Sequence, residues 1–457
     1  MQILLIYANC QREIIGFGDQ GAIAEPLALE YLAAVALEQG HRVHILDLRL
    51  HPDALDLTLL RLQPDVVGLT GYSMHVLRVL ELCRQVRQVA PLAITVVGGH
   101  HATIMPVDYT VDEVDHVVIG EGTAPFRQIL RRLAQGTAVA PLAGVWSRDA
   151  AGAFAYGGDP PRFDIDSIPE PARDVVGADR DRYFIDWMRP IALLRTTVGC
   201  PYRCSFCSLW RIMDGQYLRR DVDRVVREIA AVREQNIFFV DDEPFVNAKR
   251  MLGLAQAIRE AGLHHHYFAY CRLDTFMNHL DVMTQWREIG LQRLFFGIEA
   301  ISDAELLSYQ KRQKRSEIVT ALRTAREMGI SVMSNFIVSP QYGRDEFVNL
   351  ARFIEDNEVD YPTFTILTPI PGTPSCENFD GILKMQANGR PDWQYFDLQH
   401  AVTTTRLPIE EFMREYTALY RLFGHAYAQA EHPFYQPGAM VDRAGRLPLA
   451  AMHGARA

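Results

Sequence analysis

The sequence predicts an α/β protein: an N-terminal doubly wound flavodoxin- or Rossmann-like domain, a partial (β/α)6 barrel, and a small helical C-terminal region. Three observations carry this prediction. Short, continuous apolar runs alternate with helical patterns from residue 1 to about residue 130, the signature of a parallel sheet covered on both faces. The alternation stops through AGAFAYGGDPPRFDIDSIPEPARD, rich in Gly, Pro and Asp, and restarts at Pro190. The last periodic segment, Pro408–Gln429, reads as a single helix followed by an irregular tail.

In the first unit the expected strands are Ile3–Tyr7, Arg42–Leu48, Val66–Thr70, Ile94–Val97 and His116–Ile119. Helical patterns at Leu27–Gln39 and Val76–Val89 lie between them. In the second unit they are Ile191–Thr197, Ile237–Asp241, His266–Arg272, Arg293–Glu299, Ser331–Val338 and Thr363–Thr368. The intervening helices include Val222–Glu234, Ala248–Ala261 and Ser316–Met328. Six βα units are too few for a closed eight-stranded barrel and suit an open one. The expected divisions are 1–135 for the first domain, 136–189 for a linker with a small hairpin, 190–400 for the barrel and 401–457 for the C-terminal region.

The net charge of −10 argues against a general nucleic-acid binder, which would carry a basic face. No apolar run reaches the roughly 18 residues of a spanning helix. MQILLIYANC lacks a basic region and a cleavage site, so it reads as a buried strand rather than a signal peptide, and a cytoplasmic location is expected. The seven cysteines are an odd number and do not suggest a disulfide framework.

Three of those cysteines crowd together in Cys200-Pro-Tyr-Arg-Cys204-Ser-Phe-Cys207, directly after the first barrel strand. Thiolates are soft ligands suited to iron–sulfur clusters. Three on one loop hold three irons of a [4Fe–4S] cube and leave the fourth open for chemistry. A structural zinc site would need a fourth Cys or His.

This C-x3-C-x2-C motif resembles the signature of the radical SAM superfamily, including the aromatic Phe206 before the third cysteine. The resemblance implies that S-adenosylmethionine chelates the open iron and is cleaved to a 5′-deoxyadenosyl radical, with Phe206 near the adenine. Phe296-Gly297-Ile298-Glu299-Ala300 resembles the superfamily's GIE motif: Gly297 would allow close cofactor approach, and Glu299 would accept from the ribose hydroxyls or the ammonium. Arg272 and Asp241–Asp242, at strand ends, point toward the same site or else form rim salt bridges. Thr368-Pro369-Ile370-Pro371-Gly372-Thr373-Pro374 resembles the turn that follows the last barrel strand in many relatives. One departure is Ser339, which stands in Val338-Ser339-Pro340 where relatives commonly have glycine.

A doubly wound domain ahead of a radical SAM core is similar to the cobalamin-dependent class. Three turns at the carboxyl edge of the first sheet, where ligands bind in such folds, match it piecewise: Thr70-Gly71-Tyr72-Ser73, then Gly98-Gly99-His100-His101-Ala102-Thr103, then Gly120-Glu121-Gly122. The resemblance implies that Thr70, Gly71, Tyr72, Ser73, Gly98, Gly99, His100, His101, Thr103, Gly120, Glu121 and Gly122 line a cobalamin site. The D-x-H-x-x-G signature of a histidine cobalt ligand is absent, and His116 beside Asp115 has the wrong spacing.

The implied activity is that of a cobalamin-dependent radical SAM methyltransferase. It would transfer a methyl group from S-adenosylmethionine, through methylcobalamin, to an unactivated carbon of a small-molecule or lipid-like substrate. A flavodoxin or ferredoxin would serve as reductant. The stretch Phe396–His400 with Thr405–Pro408 resembles the tail of hopanoid C-3 methylases. Two alternatives remain open: a non-methylating rearrangement, cyclisation or oxidation with the same cofactors, and a cobalamin-binding sensor or carrier.

Overall fold

The computed structural model describes residues 1–10, 22–376 and 380–423. The end of the expected C-terminal helix and the tail beyond it fall outside the described residues.

The first sheet contains β1 (Gln2–Tyr7), β2 (Arg42–Asp47), β3 (Val66–Thr70), β4 (Ile94–Gly98), β5 (His116–Val118), β6 (Val145–Arg148) and β7 (Phe154–Tyr156). Its order is β2-β1-β3-β4-β5-β6-β7. The first five strands are parallel, in the flavodoxin-like order 2-1-3-4-5. Apolar side chains leave both faces: Leu4 and Ile6 pack in one core cluster, Ile3 and Leu5 in the other. This is why the strand reads QILLIY without alternation.

The final two strands are antiparallel and come from the 136–189 stretch. The small hairpin expected there extends the first sheet. The rest of that stretch also does more than tether: Phe184–Ile185 pairs with Ala22–Ile23, and the Arg173 guanidinium sits in a buried knot. Arg173 pairs with Glu25, approaches Glu30 at 3.6 Å, and bonds Glu228 at 2.8 Å and the Leu193 carbonyl at 2.7 Å. Arg220 adds a second bond to Glu228 at 2.6 Å. First domain, connecting segment and barrel thus meet at one cation.

The barrel sheet runs β8 (Ile191–Leu194), β9 (Asn236–Phe239), β10 (His266–Cys271), β11 (Leu291–Glu299), β12 (Ser331–Val338) and β13 (Tyr361–Ile366). The six strands are parallel and sequential; among the described residues no strand pairs beyond β8 or β13, so the barrel is open. Helices such as Val222–Ala231, Ala248–Glu260, Arg315–Glu327 and Arg344–Asp356 cover the outer face. The other face carries Phe238, Phe268, Tyr270, Phe295 and Met333, in one cluster with Leu27, Tyr31, Ile185 and Met188 from upstream.

After β13 the chain crosses back. Ile382, Trp393, Phe396 and Val402 belong to a core cluster of the first domain, so this stretch, expected within the barrel unit, straps the two together.

Asp115, at the start of β5, shows how charge fixes local structure. Burial alone would raise its carboxyl, but the Thr95 N–H, Arg148 and Arg87 overcome this and hold it below the usual value. Asp115→Asn is expected to cost about 1–2 kcal/mol at pH 7, the scale of charge-assisted hydrogen bonds discounted for partial exposure. A carboxyl depressed in the folded state stabilises above its unfolded pKa of about 4 and loses that contribution as pH falls through the folded value. Denaturation of both proteins across pH should therefore show a full gap at neutral pH that closes under acid.

Candidate cofactor sites

The cysteine loop leaves the carboxyl end of β8. Cys204 is buried; Cys200 and Cys207 are partly so. Two neighbouring carboxylates hold the loop. Asp241 is fully buried and accepts from the Thr196 N–H at 2.7 Å, the Thr196 hydroxyl at 2.9 Å and the Thr197 N–H. Burial lifts its pKa to about 6 against those bonds. Asp242 accepts from the Gly199 N–H at 3.0 Å. Both acids brace the backbone that carries the cysteines.

Burial pushes the Cys200 thiol up to about 11 and Cys207 up to about 12, opposed by backbone N–H bonds from Tyr202 and Leu209. Arg272 donates to the Cys204 sulfur at 3.7 Å. Its guanidinium grips Asp274 through two bonds of 2.9 Å and stacks 3.8 Å from the Tyr202 ring centre. Metal binding displaces the thiol protons. Among the described residues no three His, Cys, Asp or Glu side chains converge on the position of one metal ion. A cube differs from zinc here, because each thiolate holds a separate iron. Three thiols on one loop, N–H donors to sulfur and one arginine are a donor set that fits a [4Fe–4S] cluster.

The GIE motif ends β11, but its groups are engaged differently from expectation. Glu299 adopts a left-handed φ of 66° and pairs with Lys311 at 2.8 Å and Asn335 at 3.3 Å. A Cβ at Gly297 would stand 2.3 Å from Glu299 Oε1 and 2.8 Å from Lys311 Nζ, so the glycine makes room for this ion pair. Lys311 lies 5.9 Å from the Phe206 ring, whose edge packs on Tyr309. Phe206, Gly297, Glu299 and the cysteine loop are thus brought together, with Lys311 and Asn335 as members the motif did not reveal.

Glu243 was also missed, although it closes the Asp-Asp-Glu run at the end of β9. It accepts from the Arg272 N–H at 2.7 Å, and burial raises it to about 8. Its other oxygen is buried with no hydrogen-bond partner, as expected where a polar ligand group completes the site. Above pH 8, where Glu243 is ionised, Glu243→Gln should leave the fold intact and weaken S-adenosylmethionine binding by about tenfold or more, the scale of one charge-assisted bond. Equilibrium dialysis on cluster-loaded protein measures this.

At the carboxyl edge of the first sheet the three glycine turns lie side by side. Gly99 has φ 108°, and a Cβ there would meet Thr70 Oγ1 at 2.6 Å. Thr103 donates to the Gly99 carbonyl at 2.8 Å and accepts from the Gly120 N–H at 3.0 Å, linking the second and third turns. Gly120 opens on free space, and Tyr72 is 55% exposed on the first turn's loop. Open glycine backbone with an exposed aromatic fits a large flat cofactor.

Three expected contacts are turned inward. His101 is fully buried, with Nδ1 2.9 Å from the Ser73 hydroxyl and Nε2 2.9 Å from Asp108. Both ring nitrogens are spent, so His101 is no cobalt ligand, and Ser73 is buried with it. Glu121 caps the helix Thr123–Ala134 by accepting from the Thr123 N–H at 3.0 Å. His75, not singled out in the sequence, accepts from the Tyr72 N–H at 3.1 Å and lies 3.5 Å from the Cys10 sulfur.

The two sites touch. His100 Nε2 lies 3.0 Å from the hydroxyl of Ser208, the residue after Cys207. Gly372, with φ 87° in the Pro-Gly-Thr turn after β13, would place a Cβ 3.1 Å from Ile104 and 3.5 Å from Ser208.

Comparison with known proteins agrees with this layout. Residues 17–130 match the B12 binding domain and residues 194–354 the radical SAM superfamily. The chain is 32% identical over 400 residues to a hopanoid C-3 methylase of Methylococcus capsulatus, covering 86% of this chain and 75% of that one. Its fold is similar to TsrM of Kitasatospora setae, solved with cobalamin and a [4Fe–4S] cluster (TM-score 0.64, 18% identity, 93% of this chain and 86% of that one). It is also similar to OxsB, solved with aqua-cobalamin and S-adenosylmethionine (TM-score 0.70, 16% identity, 91% of this chain), of which it spans 66%. The chain belongs to the B12-binding radical SAM enzymes, whose cofactors are a [4Fe–4S] cluster, S-adenosylmethionine and cobalamin.

Proposed function

We propose that this protein is a cobalamin-dependent radical SAM methyltransferase that methylates an unactivated carbon of a small, largely apolar molecule. The observation that carries the reading is the direct abutment of the glycine turns of the first sheet on the cysteine loop, through His100 and Ser208. When bound, the cluster with S-adenosylmethionine supplies a 5′-deoxyadenosyl radical and the cobalamin supplies the methyl group.

The chain's own residues would do the rest. Cys200, Cys204 and Cys207 would hold the cluster, with Asp241 and Asp242 keeping their loop in place. Phe206, Arg272, Gly297, Glu299 and Glu243 would surround S-adenosylmethionine. Tyr72, Gly71, Gly98, Gly99, His100 and Gly120 would form the cobalamin edge. Tyr270, Phe295 and Met333, partly buried on the barrel's inner face, give an apolar stretch that supports a lipid-like substrate and would help exclude water from the reacting groups. The methylase relative of Methylococcus capsulatus points the same way. An external one-electron donor such as flavodoxin or ferredoxin would reduce the cluster, and a cytoplasmic setting suits thiols that must stay reduced. No described helix is long and apolar enough to cross a membrane.

The test is turnover with methyl-labelled S-adenosylmethionine and a polycyclic triterpenoid. A product carrying the labelled methyl supports the reading. Formation of 5′-deoxyadenosine with a transformed but unmethylated product sinks it in favour of a rearrangement.

A further inference from the structure

We propose that His100 is a positioning residue that couples the two cofactor sites, so that filling the cobalamin edge resets the loop that holds the cluster. This rests on the functional reading above.

His100 begins the short helix His100–Ile104, immediately after the constrained Gly99. The backbone there has little freedom, because Gly99 is wedged against Thr70 and Gly71 of the neighbouring turn. The imidazole therefore leaves a fixed base. On one side its ring lies 5.8 Å from the exposed Tyr72 ring, on the edge proposed for cobalamin. On the other its Nε2 meets the buried Ser208 hydroxyl at 3.0 Å. Ser208 is joined to Cys207 by one peptide bond, and its carbonyl accepts from the Arg211 and Ile212 N–H groups at 3.0 and 3.2 Å. Moving Ser208 thus moves Cys207 and the turn behind it.

The contact is braced from behind, where Ile104 packs on Gly372 beside Ser208. A larger residue at Gly372 would force these elements apart. The result is a short mechanical path from Tyr72 through His100 and Ser208 to a cluster ligand. Tyr72 would hold the cofactor's edge, and a change in that ring would reach Ser208 through His100 as a shifted hydrogen bond. Such coupling is reciprocal: whatever factor cobalamin exerts on the cluster site, the loaded cluster exerts on cobalamin affinity.

The test uses the full chain and no turnover. Hydroxocobalamin affinity is measured by absorbance titration with and without the reconstituted cluster, and the electron paramagnetic resonance spectrum of the reduced cluster is recorded with and without cobalamin. The wild type is expected to bind cobalamin at least about fivefold more tightly when the cluster is present, the lower end of typical coupling, and to show shifted g-values on binding. In His100→Ala the factor falls to within about twofold and the spectrum stops responding. Ser208→Ala reproduces this from the other side, and covers the case in which the histidine variant fails to fold. His100→Gln, whose amide reaches Ser208, restores part of the response, which a loss of packing alone would not allow. Both cofactors binding with an undiminished factor in His100→Ala and Ser208→Ala overturns the proposal, as does a wild type in which the sites ignore one another. A wild type that binds no cobalamin overturns the functional reading itself, a distinct outcome.

Discussion

Cys204→Ala protein is expected to form no 5′-deoxyadenosine from S-adenosylmethionine above background, a loss of at least about a thousandfold, because a group the whole reaction depends on is removed. The reason is positional as well as chemical. Cys204 is the most buried of the three cysteines and the one beside the Arg272 guanidinium. Alanine removes the ligand and leaves that cation facing an empty corner. Cys204→Ser keeps the shape but offers a hard oxygen in place of soft sulfur, and should lose the cluster too. Chromatographic quantification of 5′-deoxyadenosine, beside iron analysis, reads both effects. Cobalamin content at saturating hydroxocobalamin should be unchanged, since the coupling between sites lowers affinity without abolishing it.

Arg173→Met has the largest expected effect on stability, about 3–5 kcal/mol, because it strands carboxylates in a buried site. Glu25, Glu30 and Glu228 all face this guanidinium, and all are buried. Burial already raises Glu25 and, further still, Glu30, and Arg173 is among the charges that oppose the rise. Removing it lets both climb higher. A carboxyl whose folded pKa exceeds its unfolded value weakens the fold as pH rises from the unfolded value toward the folded one, and the penalty is relieved as pH falls. The deficit of the variant should therefore be deepest at pH 8 and shrink toward pH 5, the opposite of Asp115→Asn. Adding Glu25→Gln and Glu30→Gln should recover much of the loss, because those two groups then need no cation while Glu228 keeps Arg220 as its partner. Thermal melts should show the single variant lower by about 10 °C.

The first sheet is legible because it is buried on two faces, leaving uninterrupted apolar runs such as QILLIY, whereas later barrel strands such as YPTFTI are legible from their alternation. The cysteine loop is legible for a different reason: three cysteines within eight residues need no knowledge of distant chain. Side-chain direction is another matter. Glu299, Glu121 and His101 stand on the expected loops, yet each is claimed by a structural partner: Lys311, the Thr123 N–H, and the Ser73–Asp108 pair. Those partners are set by tertiary packing, which no local spacing records. The strap carrying Trp393 and Phe396 was illegible because it lacks periodicity and its partners lie in the first domain. Glu25 and Glu30 flank the start of an apolar helix pattern, and their purpose depends on Arg173, far along the chain.

Anaerobic reconstitution with iron, sulfide and hydroxocobalamin, followed by metal analysis and absorbance spectra, tests most directly that one chain brings both cofactors together. The wild type is expected to hold about four irons, one [4Fe–4S] cube on its three cysteines, together with one cobalamin. The triple variant Cys200→Ala, Cys204→Ala, Cys207→Ala is expected to lose the iron and keep the cobalamin. Iron without cobalamin in the wild type, or cobalt and iron both unaffected by the triple variant, would contradict it.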